Sequence, residues 1–205
     1  MDNKAIVAIG AFTAAGDLER LDEALNRGLD AGLTINQIKE VLVQMYAYAG
    51  FPRALNALGT FMAVLGKRRK RGVTDETGPE PTPLPEGTDL LELGTRNQTQ
   101  LSGAPVAGPL FDFAPAVDQF LKAHLFGDIF ARDNLDWKSR EIATISALAT
   151  LTGTGSQLAS HLNIGLNTGL TEADLRELVE VLRTEVGPNQ ADTAGRTLDA
   201  VLAKR

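Results

Sequence analysis

Cysteine is absent from this chain. That excludes disulfides, thiolate nucleophiles, CxxC redox chemistry and thiolate-held metal. Histidine is nearly as scarce: His124 and His161 are the only two in 205 residues, and their separation argues against a zinc site. No metal or other cofactor is expected. Long apolar runs are missing too, since none approaches the roughly 20 residues of a membrane span. The stretch Ala5 to Gly16 has the look of a signal-peptide core. It recurs in mid-chain as part of a repeat, however, and a repeated structural unit is not expected to be cleaved off, so the expected location is the cytoplasm. Basic charge is sparse: the formal net charge is −6, and the densest cationic cluster is "GKRRKRG", Gly66 to Gly72. It reads as the C-terminal end of a helix, where cations favour the dipole, ahead of a nucleic-acid surface. Neither nucleic acid nor membrane is an expected partner. Convincing strand alternation is found nowhere, which leaves an all-α fold.

What the chain does have is an internal repeat. Sliding the sequence on itself by about 137 positions lays "NRGLDAGLTINQIKEVL" (Asn26 to Leu42) over "NIGLNTGLTEADLRELV" (Asn163 to Val179) without a gap. Gly28 falls on Gly165, Gly32 on Gly169, Thr34 on Thr171 and Glu40 on Glu177. Thr13, Gly16, Leu21 and Leu25 meet Thr150, Gly153, Leu158 and Leu162 upstream, and Gly50 and Ala54 meet Gly187 and Ala191 downstream. One helical unit is therefore used twice: residues 1–72 form the first copy, 73–89 a linker rich in Pro, Gly and acid, and 90–205 the second copy with extra helices at its start.

Within each copy an apolar helix (Ala5 to Ala15, Arg140 to Thr152) precedes an amphipathic one (Asp17 to Asp30, Ser156 to Asn167). Gly32 and Gly169 stand where a left-handed helix end is wanted. Thr34 and Thr171 follow as N-caps, with Gln37 and Asp174 completing capping boxes. Pro52 and Pro188 suit the first turn of the last helix. Gly28 and Gly165 sit inside helices, at a cost of about 1 kcal/mol each against alanine, which implies close backbone approach. Leu90 to Gly103 is expected to form a short helix, Gly103 to Pro115 a loop, and Ala116 to Phe130 a helix opened by Pro115.

Two residues stand out chemically. His161 lies at the edge of the Leu158/Leu162 stripe, the place of a structural histidine or of a proton-transfer group. Glu141 falls in the inward row Trp137, Glu141, Ile145, Leu148, and a buried carboxylate is costly unless paired. It either orients and protonates His161 across adjacent antiparallel helices, or pairs with Arg140 or Lys138, or turns to solvent. Arg140 has the fork to anchor a substrate carboxylate, with a surface salt bridge as its alternative. Tyr46 and Tyr48 line a pocket where the repeats meet, or pack against the linker or a neighbouring subunit. Gln157, one turn before His161, is a hydrogen-bonding candidate or an ordinary solvated residue. His124 reads as structural or interfacial.

"HLFGDIFARDNLDWKSREIATISALATLTG" (His124 to Gly153), "HLNIGLNTGLTEADLRELVEVL" (His161 to Leu182) and "GLTINQIKEVLVQMYAYAGFPRALNAL" (Gly32 to Leu58) resemble the carboxymuconolactone decarboxylase family. The resemblance covers most of both repeats and omits the linker. It implies a tandem duplication of the alkylhydroperoxidase-like helical unit, packed as an antiparallel bundle. It also implies an oligomer: with two repeats per chain, a homotrimer forming a pseudo-hexamer, which a mass measurement in solution checks. The peroxidase branch carries a CxxC pair followed by a histidine, and the nearest equivalents here are Thr154, Gln157 and His161. Threonine and glutamine cannot reduce a peroxide. The decarboxylase branch remains, which implies a lactone or ring acid as substrate, His161 and Glu141 as the proton-transfer groups, and Thr154 beside Gln157 at the substrate. Ala24 stands at the position of His161 in the first repeat, so one site per chain is expected. The competing reading is an oligomeric binding or scaffold protein in which His161 only packs; a further one keeps the enzyme and changes the unsaturated ring acid.

Overall fold

The structure, a computed structural model, describes residues 3–205. The first repeat folds as α1 (Asn3–Ala15), α2 (Leu18–Asp30), α3 (Ile35–Gln44), α4 (Tyr46–Ala49) and α5 (Phe51–Lys70). Then come α6 (Leu90–Ser102), α7 (Pro109–Phe113), α8 (Pro115–Phe120) and a π-helical segment, π1 (Leu121–Ile129). The second repeat follows as α9 (Trp137–Thr150), α10 (Gly155–Asn167), α11 (Glu172–Val181), π2 (Leu182–Val186) and α12 (Pro188–Leu202). Among the described residues there is no strand, and no helix is long and apolar enough to cross a membrane.

The local signals explain the boundaries. Asp17 caps α2 by accepting from the Arg20 N–H. Thr34 and Thr171 form complete capping boxes with Gln37 and Asp174. Gly32 and Gly169 take φ of 91° and 95°, the left-handed region that only glycine enters without strain. α2 and α10, and likewise α3 and α11, begin and end at positions that the repeat superposes.

α1 is apolar on every side, and a helix of that kind must be buried. It lies at the centre of the molecule against its counterpart α9, with Ile6, Ile9 and Phe12 enclosed. Gly10 allows this approach: a Cβ there would sit 2.8 Å from the Ala143 carbonyl oxygen. The flanking helices complete the core with Leu21, Leu25, Leu158 and Leu162, each fully buried and each stabilising the fold by roughly 1.5–3 kcal/mol relative to exposure. Gly28 and Gly165 serve a different purpose from the one expected. A Cβ at either position would press on side chains, not backbone: Ile9 and Leu33 at 3.2 Å for Gly28, and Leu170 and Ile145 at 3.1 and 3.3 Å for Gly165.

Two expectations between the repeats need correction. The stretch expected as a loop contains α7, opened by Pro109. The helix expected from Ala116 to Phe130 starts as α8 but widens into π1. Gly94 of α6 and Gly127 of π1 bring these two segments together, since a side chain at Gly94 would overlap the Lys122 carbonyl and one at Gly127 the Leu90 carbonyl. The linker is docked as well. Ile35 and Asn36 donate backbone N–H groups to the Glu76 and Thr77 carbonyls, and the Asn36 amide bonds Gly78, Pro79 and Glu80. Arg68, buried within the basic cluster that ends α5, is held by Asp30 and Asp75. Apolar side chains stay open on α7 and α8, where Leu110, Phe113, Val117 and Phe120 are all exposed, and on α5, where Phe51, Leu55 and Met62 are.

Candidate functional site

Glu141 and His161 meet between α9 and α10. Asp136 caps α9 by accepting from the Ser139 N–H, which sets the register that turns Glu141 inward. α10 packs along α9 and presents His161 at the border of its leucine stripe. Glu141 is fully buried and His161 is 8% exposed. The His161 Nδ1 lies 2.7 Å from Glu141 Oε2. An ionised carboxylate only accepts, so Nδ1 carries the shared proton. Among the described residues Nε2 has no partner. With one nitrogen held and the other free, the ring is fixed in a tautomer that can take or give a proton at Nε2. The second carboxylate oxygen, Glu141 Oε1, is buried and also has no partner.

The first repeat supplies the facing wall. The Tyr48 ring of α4 meets the His161 ring edge to face, with centroids 5.5 Å apart and planes at 82°. Its hydroxyl is buried and, among the described residues, makes no well-formed hydrogen bond, although Thr144 lies near enough to act on it. Burial pushes the phenol well above its ordinary range, and the Glu141 charge adds to the effect; Thr144 and Arg140, close by, offset it only in part. Tyr48 is therefore a neutral O–H donor at working pH.

Arg140 is neither on the surface nor in a surface salt bridge. Its side chain is completely enclosed. Nη2 donates to Glu40 Oε2 (3.1 Å) and to the Arg132 carbonyl (2.8 Å), and Nη1 donates to Gln44 Oε1 (3.1 Å). Gln44 in turn donates to the Arg140 carbonyl (2.9 Å) and to Thr144 Oγ1 (2.7 Å). Arg132 closes the far side of Glu40 with a fork at 2.6–3.1 Å. Burial would raise the Glu40 carboxyl, but the hydrogen bonds from Arg132 and Arg140 outweigh it and hold the group below its ordinary range. Burial pushes the Arg140 guanidinium down from its ordinary value, yet arginine remains charged in proteins. The network ties α3 of the first repeat to α9 of the second, directly beside Glu141. Both guanidinium ends of Arg140 are thus taken by protein, which leaves only Nε unpartnered.

The other candidates lie elsewhere. Gln157 is exposed and accepts from the Ser156 hydroxyl. Thr154 donates to the Leu148 and Leu151 carbonyls and lines a separate cleft of about 500 Å³ with Leu158, Asn189 and Gln190. Tyr46 stacks on Phe51 at 4.3 Å and lies 5.6 Å from His124, which pairs with Asp128. The structure thus brings Glu141, His161 and Tyr48 together, with Arg140 behind them. Sequence reading missed Glu40, Gln44, Arg132 and Thr144. A signal existed for two of them: Glu40 and Gln44 stand one turn apart on a helix whose inward face also carries the apolar Ile38, Val41 and Leu42.

The repeat supplies a control within the same chain. At the positions corresponding to Glu141, Thr144 and His161 stand Lys4, Val7 and Ala24; opposite Gln44 and Tyr48 stand Val181 and Glu185. There Glu177, the counterpart of Glu40, pairs with Lys4 at the surface (3.2 Å), and Glu185 pairs with Arg27 (2.8 Å). The first pseudo-site is filled with apolar side chains and surface ion pairs, and the second alone encloses polar groups. The sequence model of the carboxymuconolactone decarboxylase family matches residues 2–61 and 115–197. A search of curated proteins finds no match.

Proposed function

Because the chain belongs to the carboxymuconolactone decarboxylase family, we propose that it is a cytoplasmic carboxy-lyase acting on an unsaturated lactone that bears a carboxylate, with His161 as the proton-transfer residue. The observation that carries this reading is the buried 2.7 Å contact of Glu141 with Nδ1 beside an unpartnered Nε2. As the ring carbon–carboxylate bond breaks, its electron pair moves through the ring double bond to the lactone carbonyl oxygen, and carbon dioxide leaves. The ring carbon beside the carbonyl then takes a proton, the carbonyl re-forms, and the ring double bond leaves conjugation with it. The net reaction consumes one proton, so His161 gives its Nε2 proton as the imidazolium and regains one from solvent. Glu141 fixes the ring and stabilises its cationic state, the role an acid partner plays for a catalytic histidine. The substrate is its own electron sink, so this route calls on no cofactor. Thr154 and Gln157 supply no thiol for peroxide reduction.

The experiment is turnover of 4-carboxymuconolactone by the purified full chain, followed by loss of ring absorbance and by carbon dioxide release. Equal loss of the conjugated lactone, read by absorbance, and gain of carbon dioxide, well above a buffer control, is expected. No catalysed release would overturn the reading and favour a scaffold in which His161 only packs.

A further inference from the structure

Among the described residues, two buried polar atoms beside His161 lack a well-formed hydrogen bond: the Tyr48 hydroxyl, which Thr144 approaches without completing one, and Glu141 Oε1. Orphaned polar groups in a protein interior are uncommon, and each costs about 1–3 kcal/mol of desolvation. They do not satisfy each other, although the Glu141 charge is close enough to act on the phenol. The phenol O–H is a donor in need of an acceptor. It stands at the edge-to-face contact with the ring whose Nε2 is free. It comes from the first repeat, whereas the proton-transfer pair comes from the second, so it faces that pair from across the seam. The corresponding residue of the other pseudo-site, Glu185, is committed to Arg27.

We propose that Tyr48 is the catalytic residue that hydrogen-bonds the lactone carbonyl oxygen as that oxygen becomes an enolate. The proposal rests on the decarboxylase reading above. In that reaction the electron pair released by the departing carboxylate arrives at the carbonyl oxygen, a different atom of the dienolate from the carbon that His161 protonates. The two tasks therefore need two groups: a proton donor at one side of the substrate and a neutral hydrogen-bond donor at the other. The phenol stays protonated because burial and the Glu141 carboxylate both oppose its ionisation, so it can donate without transferring its proton. A fixed donor aimed at developing charge in a water-poor site is worth about 10²–10³ in rate.

The test is Tyr48→Phe in the full chain, with kcat, KM and thermal midpoint measured beside wild type. The expected result is a kcat about 100-fold lower, a KM within about threefold, in keeping with loss of a contact made mainly in the transition state, and a thermal midpoint equal to or above wild type. The last follows because the variant removes a hydroxyl whose approach to Thr144 falls short of a well-formed hydrogen bond. A purely structural hydroxyl would instead lower the midpoint and spare kcat. Wild-type kcat in Tyr48→Phe, with the lactone still turned over by the parent and not by His161→Ala, overturns this assignment and leaves the decarboxylase reading standing. No turnover by the parent chain overturns both. Tyr48→Leu, which removes the ring from His161 as well, should lose both rate and stability; if it keeps wild-type kcat, Tyr48 has no part in the reaction.

Discussion

Replacing His161 with alanine should lower lactone turnover by about 10²–10⁴, the range over which a positioned acid or base contributes, or roughly 3–5 kcal/mol of barrier. The alanine variant also leaves Glu141 Oε2 buried without its partner, since His161 Nδ1 is the only group that contacts it among the described residues. A fall in stability is therefore expected with the fall in rate, and rate alone would be ambiguous. His161→Gln separates the two. Its amide N–H can replace the contact to Glu141, but an amide carries no proton that titrates near working pH. His161→Gln should retain the helical circular dichroism and most of the thermal midpoint while losing turnover as His161→Ala does. Turnover within a few-fold of wild type in the glutamine variant would remove His161 from the chemistry.

Glu40→Ala should produce the largest loss of stability of any single charge removal in the chain. Arg140 is fully enclosed, and Glu40 is the carboxylate that pairs with it. Breaking a buried pair from one side strands the other charge, at a cost of about 3–5 kcal/mol. For a chain of this size, at about 2–4 °C per kcal/mol, the thermal midpoint should fall by roughly 6–20 °C. Glu172→Ala is the control: its pair with Arg176 is exposed on both sides, and such pairs contribute at most about 1 kcal/mol. Equal effects of the two variants would show that the buried network holds nothing together. The pH dependence has a definite sign. The Glu40 carboxyl is held below its ordinary range when folded, so its contribution is complete above the unfolded value near 4.3. It is lost as pH falls through the lower folded value. Acid should therefore destabilise wild type more than Glu40→Ala.

The repeat made the fold legible. Capping boxes at Thr34 and Thr171, left-handed glycines at Gly32 and Gly169, and prolines at the last helix marked the same element ends twice, so local chemistry and self-similarity agreed. Between the repeats no second copy is available for comparison; the helix expected from Leu90 to Gly103 is there as α6, but α7 and the widening of π1 are not legible, because a widened turn leaves little trace in apolar spacing. The site was legible only within one helix pair. Glu141 and His161 are both inward by period on neighbouring helices, and that much can be read from spacing. Arg140 could not be placed this way. Its environment is set by Glu40 and Gln44, about a hundred residues earlier, and periodicity contains no information about which distant helix fills the facing position. Tyr48 was ambiguous for the same reason, since the wall it forms belongs to the other repeat.

The most direct test of a single site at His161 uses the scarcity of histidine. The full chain labelled with ¹⁵N in its imidazoles gives signals from His124 and His161 alone. The probe is a saturated γ-lactone carrying the same carboxylate, which lacks the ring double bond and so cannot accept the electron pair. On titration the His161 signals should move and saturate while those of His124, exposed and paired with Asp128, stay in place. Saturating probe that leaves His161 unmoved, or shifts His124 alone, would contradict the assignment.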